Sequence, residues 1–170
     1  LFSKFNLTIM NLRRFLAIAV LFLMSFQGYA SHLLGGEIVW KCKPNGKYQF
    51  TLVLYRECGG ITLPTSAQSL ATNAGVSISC AFISTTDVVP SCYTGTTTCA
   101  GATSGTGKMQ KYVYRSGDIT LTGTPPASGW YFTWTSCCRP SSITNVVSPG
   151  GASYLLRAVM YPYTPPGATA

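Results

Sequence analysis

The sequence predicts an all-β fold: an antiparallel, immunoglobulin-like β-sandwich of about seven strands, stapled by disulfide bonds. Several segments alternate apolar and polar residues with a period of two, which is the pattern of half-buried strands. Clusters of Gly, Pro, Ser and Thr separate these segments, as expected for turns between short strands. The chain of 170 residues also carries seven cysteines, which an oxidising compartment would join as disulfides.

The beginning of the chain is typical of a secretory signal peptide, and this predicts the oxidising compartment. A short basic segment, MNLRR at 10–14, precedes an uncharged apolar run at 15–26. The sequence GYA at 28–30 then supplies the small residues of a cleavage site. The apolar run is shorter than the roughly twenty residues of a membrane-spanning helix, so we expect a secreted protein without a stable span after cleavage.

We expect three regions along the chain. Residues 1–30 would comprise an extension upstream of the plausible initiator Met10 and the signal peptide. Residues 31–163 would form the β-sandwich domain, which is long enough to bury a core. Residues 164–170 are typical of the start of a Pro/Gly linker, so we expect the chain to be the beginning of a longer protein.

The charge of the chain is basic but dispersed. Twelve Lys and Arg residues face four Asp and Glu residues, a net charge of +8. Three of the basic residues precede the predicted cleavage site, which leaves nine against four, or +5. The one dense segment is KCKPNGK at 41–47. A nucleic-acid surface would need clustered basic residues with stacking aromatics, so we expect no nucleic-acid partner.

The first two strands are predicted at 37–42 and 48–58. They flank Asn45-Gly46, a dipeptide that suits a tight hairpin because both central residues take positive φ. The second strand alternates along its length and places four residues on one face: Tyr48, Phe50, Leu52 and Leu54.

Further strands are predicted from the same period of two and from the turn residues between them. They lie at 75–84, 111–116, 119–123, 130–138 and 152–161. In the segment 75–84, Val76, Ile78, Cys80 and Phe82 share one face. In the segment 130–138, Trp130, Phe132 and Trp134 should point inward. The segment 85–109 is long and polar, so it should be a loop that needs tying down.

No constellation of residues has the groups that catalysis needs, so we expect no enzyme and no catalytic residues. His32 lies two residues after the predicted cleavage site, where a general base would be poorly held. The loop GATSGTGKM at 101–109 lacks the first Gly and the final Ser or Thr of a phosphate-binding loop. Glu37 and Glu57 lie on neighbouring strands and are the pair that a hydrolase could use, although surface roles suit them better.

We expect neither a metal nor a cofactor. The cysteines lack the CxxC spacing of a zinc site, so disulfides explain them better. The ten Tyr, eight Phe and three Trp residues mostly suit a core and cross-strand pairs. We expect Tyr55, Tyr161 and Tyr163 to face outward, where rings could stack on a glycan.

The disulfide candidates are Cys42, Cys58, Cys80, Cys92, Cys99, Cys137 and Cys138. We predict that a local bridge between Cys92 and Cys99 closes the long polar loop. The adjacent Cys137 and Cys138 end a strand and should point to opposite faces. We therefore predict that each pairs with a different one of Cys42, Cys58 and Cys80, which leaves one free thiol.

Three motifs follow one another along the chain: SHLLGGEIVWKC at 31–42, YRECGG at 55–60 and FTWTSCCRPSSITNV at 132–146. Together they resemble the N-terminal domain of large secreted surface proteins of Bacteroidota, the gliding-motility-associated or type IX sorting-domain-containing proteins. The resemblance implies a modular extracellular protein and brings no catalytic residues. The motif residues of this chain are Gly35, Gly36, Glu37, Arg56 and Arg139.

The function we expect is that of a non-catalytic module at the extracellular cell surface, with an adhesive or structural role. Its partners would be neighbouring domains of the same polypeptide or cell-surface components. The alternative is a sandwich that binds a glycan or another polymer through exposed aromatic rings. Exposed rings about a sugar's width apart would favour the alternative, whereas fully buried rings would exclude it.

Overall fold

The computed structural model describes residues 33–88, 98–101, 107–137, 139 and 143–163. These residues form seven strands, which confirms the predicted all-β class, and one short 3-10 helix at Pro149–Gly151. The strands are β1 (Leu33–Cys42), β2 (Tyr48–Glu57), β3 (Gln68–Thr72), β4 (Ile78–Val88), β5 (Met109–Ser116), β6 (Trp130–Ser136) and β7 (Tyr154–Met160). The predicted signal peptide and linker lie outside the described residues.

The strands form one antiparallel sheet that folds over on itself. Their order is β1-β2-β5-β4-β3-β6-β7. Strand β3 is the corner, because Gln68, Ser69 and Leu70 pair with β4 whereas its last two residues pair with β6. The fold brings β6 against β2, where the ring centroids of Phe50 and Phe132 lie 4.5 Å apart. The result is the expected antiparallel β-sandwich.

The core lies between the two layers and follows the alternation that the sequence predicted. Phe50, Leu52 and Leu54 of β2 are buried, and Tyr48 packs half-buried against them. The predicted inward face of β6 is confirmed, since Phe132 is fully buried and both of its tryptophans are nearly so. The remaining strands add further buried core residues: Leu33, Ile38, Leu70, Ile78, Cys80, Tyr112, Tyr114 and Met160.

One predicted strand does not form, and one strand of the structure was not predicted. The segment 119–123 is not a strand, because Ile119 forms one isolated bridge with Tyr48 and the pairing goes no further. Strand β3 was not predicted, since Leu70 is its one buried residue and its other side chains show no apolar alternation. A strand this short is held by its two neighbours rather than by its own pattern.

The hairpin between β1 and β2 is longer than the predicted two-residue turn. Lys43 N donates to Lys47 O at 2.8 Å, and Gly46 N donates to Lys43 O at 2.9 Å. Gly46 takes a positive φ of 73°, but Asn45 does not. Asn45 contributes to the turn through its side chain, because its Oδ1 accepts a hydrogen bond from Lys47 N at 3.1 Å.

Gly36 marks the place where β7 packs closely against β1. A Cβ atom at this position would lie 2.4 Å from Val53 O and 2.8 Å from Leu156 Cδ1. At the neighbouring Gly35 a Cβ would meet nothing within 4 Å. The second glycine of the GGEI motif is therefore required by packing, whereas the first is not.

Candidate functional site

A groove lined by aromatic side chains opens at the end of the sandwich where β1 finishes and the chain leaves β7. Its volume is about 490 Å³, which is within the range of small-ligand sites. We call it the aromatic groove, and it is lined by Trp40, Cys42, Tyr48, Leu121, Gly123, Pro125, Trp130, Met160, Tyr161 and Tyr163.

The floor of the aromatic groove is fixed by the core. The ring of Trp40 lies with its centroid 6.5 Å from Phe50 and 5.9 Å from Phe132. Trp130, at the start of β6, is only 8% exposed. These rings are held from below, so the floor should change little when a ligand binds.

One wall of the aromatic groove is a loop bonded to the β1–β2 hairpin. Tyr48 and Ile119 exchange two backbone hydrogen bonds of 2.8 Å. The ammonium of Lys43 forms an ion pair with Asp118, and Asn45 Nδ2 donates to the same carboxylate at 3.2 Å. The hydrogen bonds from Lys43 and then Asn45 lower the pKa of Asp118. These bonds fix the segment that carries Leu121 into the wall.

The rim of the aromatic groove carries two exposed tyrosines, which are two of the three that the sequence singled out. Tyr161 is 63% exposed and Tyr163 is 83% exposed. Both line the groove. Tyr55 is half-buried and lies near the far end of β2, between Gly35 of β1 and Lys111 of β5, so it does not belong to this site.

Two cysteines within the described residues are free thiols, and they differ in exposure. Cys42 is exposed and lines the aromatic groove. Cys80 is fully buried on β4, and this burial raises the pKa of its thiol from 9.0 to about 11. The sequence predicted a single free thiol, and this prediction was wrong.

The disulfide pairing also differs from the prediction. Cys58 is bonded to Cys99, so the predicted bridge between Cys92 and Cys99 does not form. Strand β4 continues to Val88, and the carboxylate of Asp87 accepts a hydrogen bond of 2.8 Å from Cys99 N. This contact places Cys99 at the end of β2, beside Cys58.

Cys137 is disulfide-bonded as well. Its partner is none of the three cysteines predicted for it, because Cys42 and Cys80 are free and Cys58 is taken by Cys99. Cys92 and Cys138 lie outside the described residues.

Arg56, the arginine of the YREC motif, holds the strand ends around the Cys58–Cys99 bond. Its side chain is only 6% exposed. Nε and Nη2 donate to Gln110 Oε1 at 2.9 and 2.6 Å, and Nη1 donates to Gly60 O at 2.6 Å. Gln110 in turn donates to Asp87 at 2.8 Å. The guanidinium therefore links β2, β4 and β5 next to the disulfide, which is a structural role.

Arg139 stacks beside the start of β7. Its guanidinium carbon lies 4.6 Å from the ring centroid of Tyr154. Nε donates to Ser153 O at 3.3 Å, and the backbone N–H of Arg139 donates to Ala152 O at 3.1 Å. The residue holds the segment after β6 against the segment before β7.

The two glutamates that a hydrolase could have used are not brought together. Glu37 pairs with Val53, and Glu57 lies four residues farther along β2, which at about 3.4 Å per residue is about 14 Å. Acid and base carboxylates of glycosidases are roughly 5 to 9.5 Å apart. Across the described ranges, no group of three or more His, Cys, Asp or Glu residues is arranged to hold a metal ion.

No family model, no curated protein and no solved structure matches this chain. The resemblance of its motifs to Bacteroidota surface proteins therefore stays a prediction. None of the helices in the described part of the chain has the length and hydropathy needed to cross a membrane. The aromatic groove is the candidate site that the geometry provides.

Proposed function

We propose that this chain is a non-catalytic module of a secreted cell-surface protein and that it acts by contact, in an adhesive or structural role. The observation that carries the proposal is the aromatic groove, which presents exposed tyrosines above a floor fixed by the core. Exposed aromatic side chains offer large contact area at a small cost in side-chain entropy. The partner would be a cell-surface component or a neighbouring domain of the same polypeptide.

One feature of the scaffold supports a location outside the cell. The Cys58–Cys99 bond is of the kind that persists in oxidising compartments, which agrees with the signal peptide that the sequence predicts. The bonds of Arg56 to Gln110 and Gly60 hold the same strand ends, so the region should resist local unfolding.

A second candidate function is the binding of a glycan, and the exposure of the two rim tyrosines favours it. Tyr161 and Tyr163 line the same groove and keep 63% and 83% of their surface exposed. A tyrosine combines an apolar ring face with a hydroxyl group, which suits the apolar faces and hydroxyl groups of a sugar. Leu121, Gly123 and Pro125 line the same groove.

The experiment is a glycan array, followed by titration of any hit with wild type and with the double variant Tyr161→Ala/Tyr163→Ala. The glycan hypothesis predicts that the double variant binds at least about tenfold more weakly, because each ring supplies stacking area. Tyr55→Ala is the matched control, since Tyr55 lies outside the groove, and it should bind as wild type does. If the array gives no hits and the chain instead binds a protein on the cell surface, the glycan hypothesis is rejected and the adhesive role is retained.

A further inference from the structure

Strand β1 has a free edge. It lies at one end of the sheet and pairs with β2 alone among the described strands. A gap of about 400 Å³, lined by Ile38, Val39, Trp40 and Ala158, opens between this edge and β7. Val39 keeps 46% of its surface exposed. The exposed Val39 side chain lies on the outer face of the sheet, and the gap beside the strand leaves the middle of its edge open.

The hydrogen bonds of the hairpin show which backbone groups face this edge. Lys43 N donates to Lys47 O within the hairpin, whereas Tyr48 bonds through both backbone groups to Ile119 on its other side. Residues of an antiparallel strand alternate between bonding to one neighbour and facing the other. From Gly35 to Lys41 the odd-numbered residues of β1 therefore bond to β2, while Ile38 and Trp40 direct their N–H and C=O groups to the free edge.

This edge is complementary to itself. If two copies approach with their β1 strands antiparallel and the two-fold axis at Val39, Ile38 of one copy lies opposite Trp40 of the other. Both are edge-facing residues, so each pair exchanges two hydrogen bonds. The two Val39 residues meet as a non-hydrogen-bonded pair, in which side chains lie close together.

The charges of β1 agree with the same register. Glu37 of one copy lies opposite Lys41 of the other. Because of the two-fold axis, this ion pair occurs twice in the dimer. Within its own sheet Glu37 faces Val53 and Lys41 faces Gln49, so neither has an oppositely charged residue directly across on β2. Opposite charges across strands stabilise a sheet and like charges destabilise it. The other free edge is less suited, because an equivalent pairing of β7 about Arg157 would place two arginines together.

We propose that β1 is a dimerisation edge and that its partner is a second copy of this chain, added as an antiparallel β1–β1 pair. The dimer has one sheet running through both copies and carries two aromatic grooves. This goes beyond the proposed function, which needs one copy only. The competing role for Glu37 and Lys41 is to protect the edge from pairing, as charged side chains do on many edge strands.

A charge exchange separates these roles. The chain is purified from an oxidising compartment, and its association is measured by analytical ultracentrifugation as wild type, Glu37→Lys, Lys41→Glu and the double exchange Glu37→Lys/Lys41→Glu. Wild type should show a monomer–dimer equilibrium. Each single variant should weaken the dimer at least about tenfold, because two ion pairs become two repulsions. The double exchange should restore the dimer to within about threefold. Monomeric wild type at all concentrations, or no rescue by the exchange, overturns the proposal.

Cysteine cross-linking tests the register itself. Val39→Cys is made in a Cys42→Ser background, so that no native exposed thiol of the described residues competes. Cα atoms of a non-hydrogen-bonded pair lie about 4.5 Å apart, which a disulfide can bridge. Under mild oxidation this variant should form a covalent dimer, whereas Ile83→Cys in the same background, on an interior strand and 50% exposed, should not. Equal cross-linking of the two variants contradicts the register.

Discussion

Two adjacent glycines in β1 have different roles. A methyl group at Gly36 would press on the carbonyl oxygen of Val53 at 2.4 Å, whereas at Gly35 it would enter open space. We expect Gly36→Ala to lower the free energy of unfolding by about 2 kcal/mol, as overpacking does. Gly35→Ala should change it by less than about 0.5 kcal/mol. Urea denaturation of both variants checks this, and equal effects would contradict the close approach of β1, β2 and β7.

The guanidinium of Arg56 makes a set of hydrogen bonds that a lysine cannot replace. It places two donors on Gln110 Oε1 and a third on Gly60 O, which an ammonium group cannot reproduce. Arg56→Lys should therefore lower the free energy of unfolding by about 2 kcal/mol. Arg115→Lys, on the exposed face of β5, is the matched control and should be nearly neutral. If both substitutions were neutral in denaturation, the strand ends would not depend on Arg56.

The buried thiol of Cys80 should make stability depend on alkaline pH. Its pKa is raised from 9.0 to about 11 by burial, so above pH 9 the thiol ionises in the unfolded chain while it stays protonated in the folded one. The free energy of unfolding should then fall as pH rises from about 9 to 11.

Denaturation of wild type and Cys80→Ala at pH 8 and pH 10.5 measures this effect. Between these two pH values the free energy of unfolding of the variant should fall by about 1 to 2 kcal/mol less than that of wild type. Some decline should remain, because burial and then the nearby Tyr112 raise the pKa of Tyr114 from 10.0 to about 12. Identical pH dependence of the two proteins would rule out the contribution of Cys80.

At the scale of the elements, the Cys58–Cys99 bond closes a large part of the chain. It joins residues 41 positions apart, which on the loop-entropy relation corresponds to about 4 kcal/mol of stabilisation. Replacing both cysteines with serine should lower the free energy of unfolding by about 2 to 4 kcal/mol. Thermal unfolding of this variant, with Cys42→Ser as control, provides the measurement. A pairing of Cys99 with Cys92 instead would appear directly in a peptide map of the oxidised protein.

The strands that the sequence predicted well are those whose pattern is set by burial on one face. Strand β2 and strand β6 alternate apolar and polar residues along most of their length, and their inward faces are as expected. Strand β3 could not be found this way, since its place depends on hydrogen bonds to β4 and β6. The Cys58–Cys99 pairing was not predicted. It depends on β4 continuing to Val88, where Asp87 accepts a hydrogen bond from Cys99 N, and no local sequence pattern indicates a contact between residues so far apart.

At the scale of the whole molecule, the candidate site was only partly predictable. Tyr161 ends the predicted last strand and Tyr163 follows it, and the sequence predicted that both face outward. Trp40 and Trp130 lie at inward positions of their strands, which predicts core residues. That they also form the floor of a groove depends on how the ends of β1, β6 and β7 meet, and no local pattern records this.

The central claim is that the molecule acts by contact through the aromatic groove. The most direct measurement is the binding of the labelled, purified chain to intact bacterial cells, with Tyr161→Ala/Tyr163→Ala compared with Tyr55→Ala. We predict saturable binding that the double variant loses by at least about tenfold and that Tyr55→Ala retains. Equal binding by wild type and the double variant would contradict the claim, as would binding lost only with Tyr55→Ala.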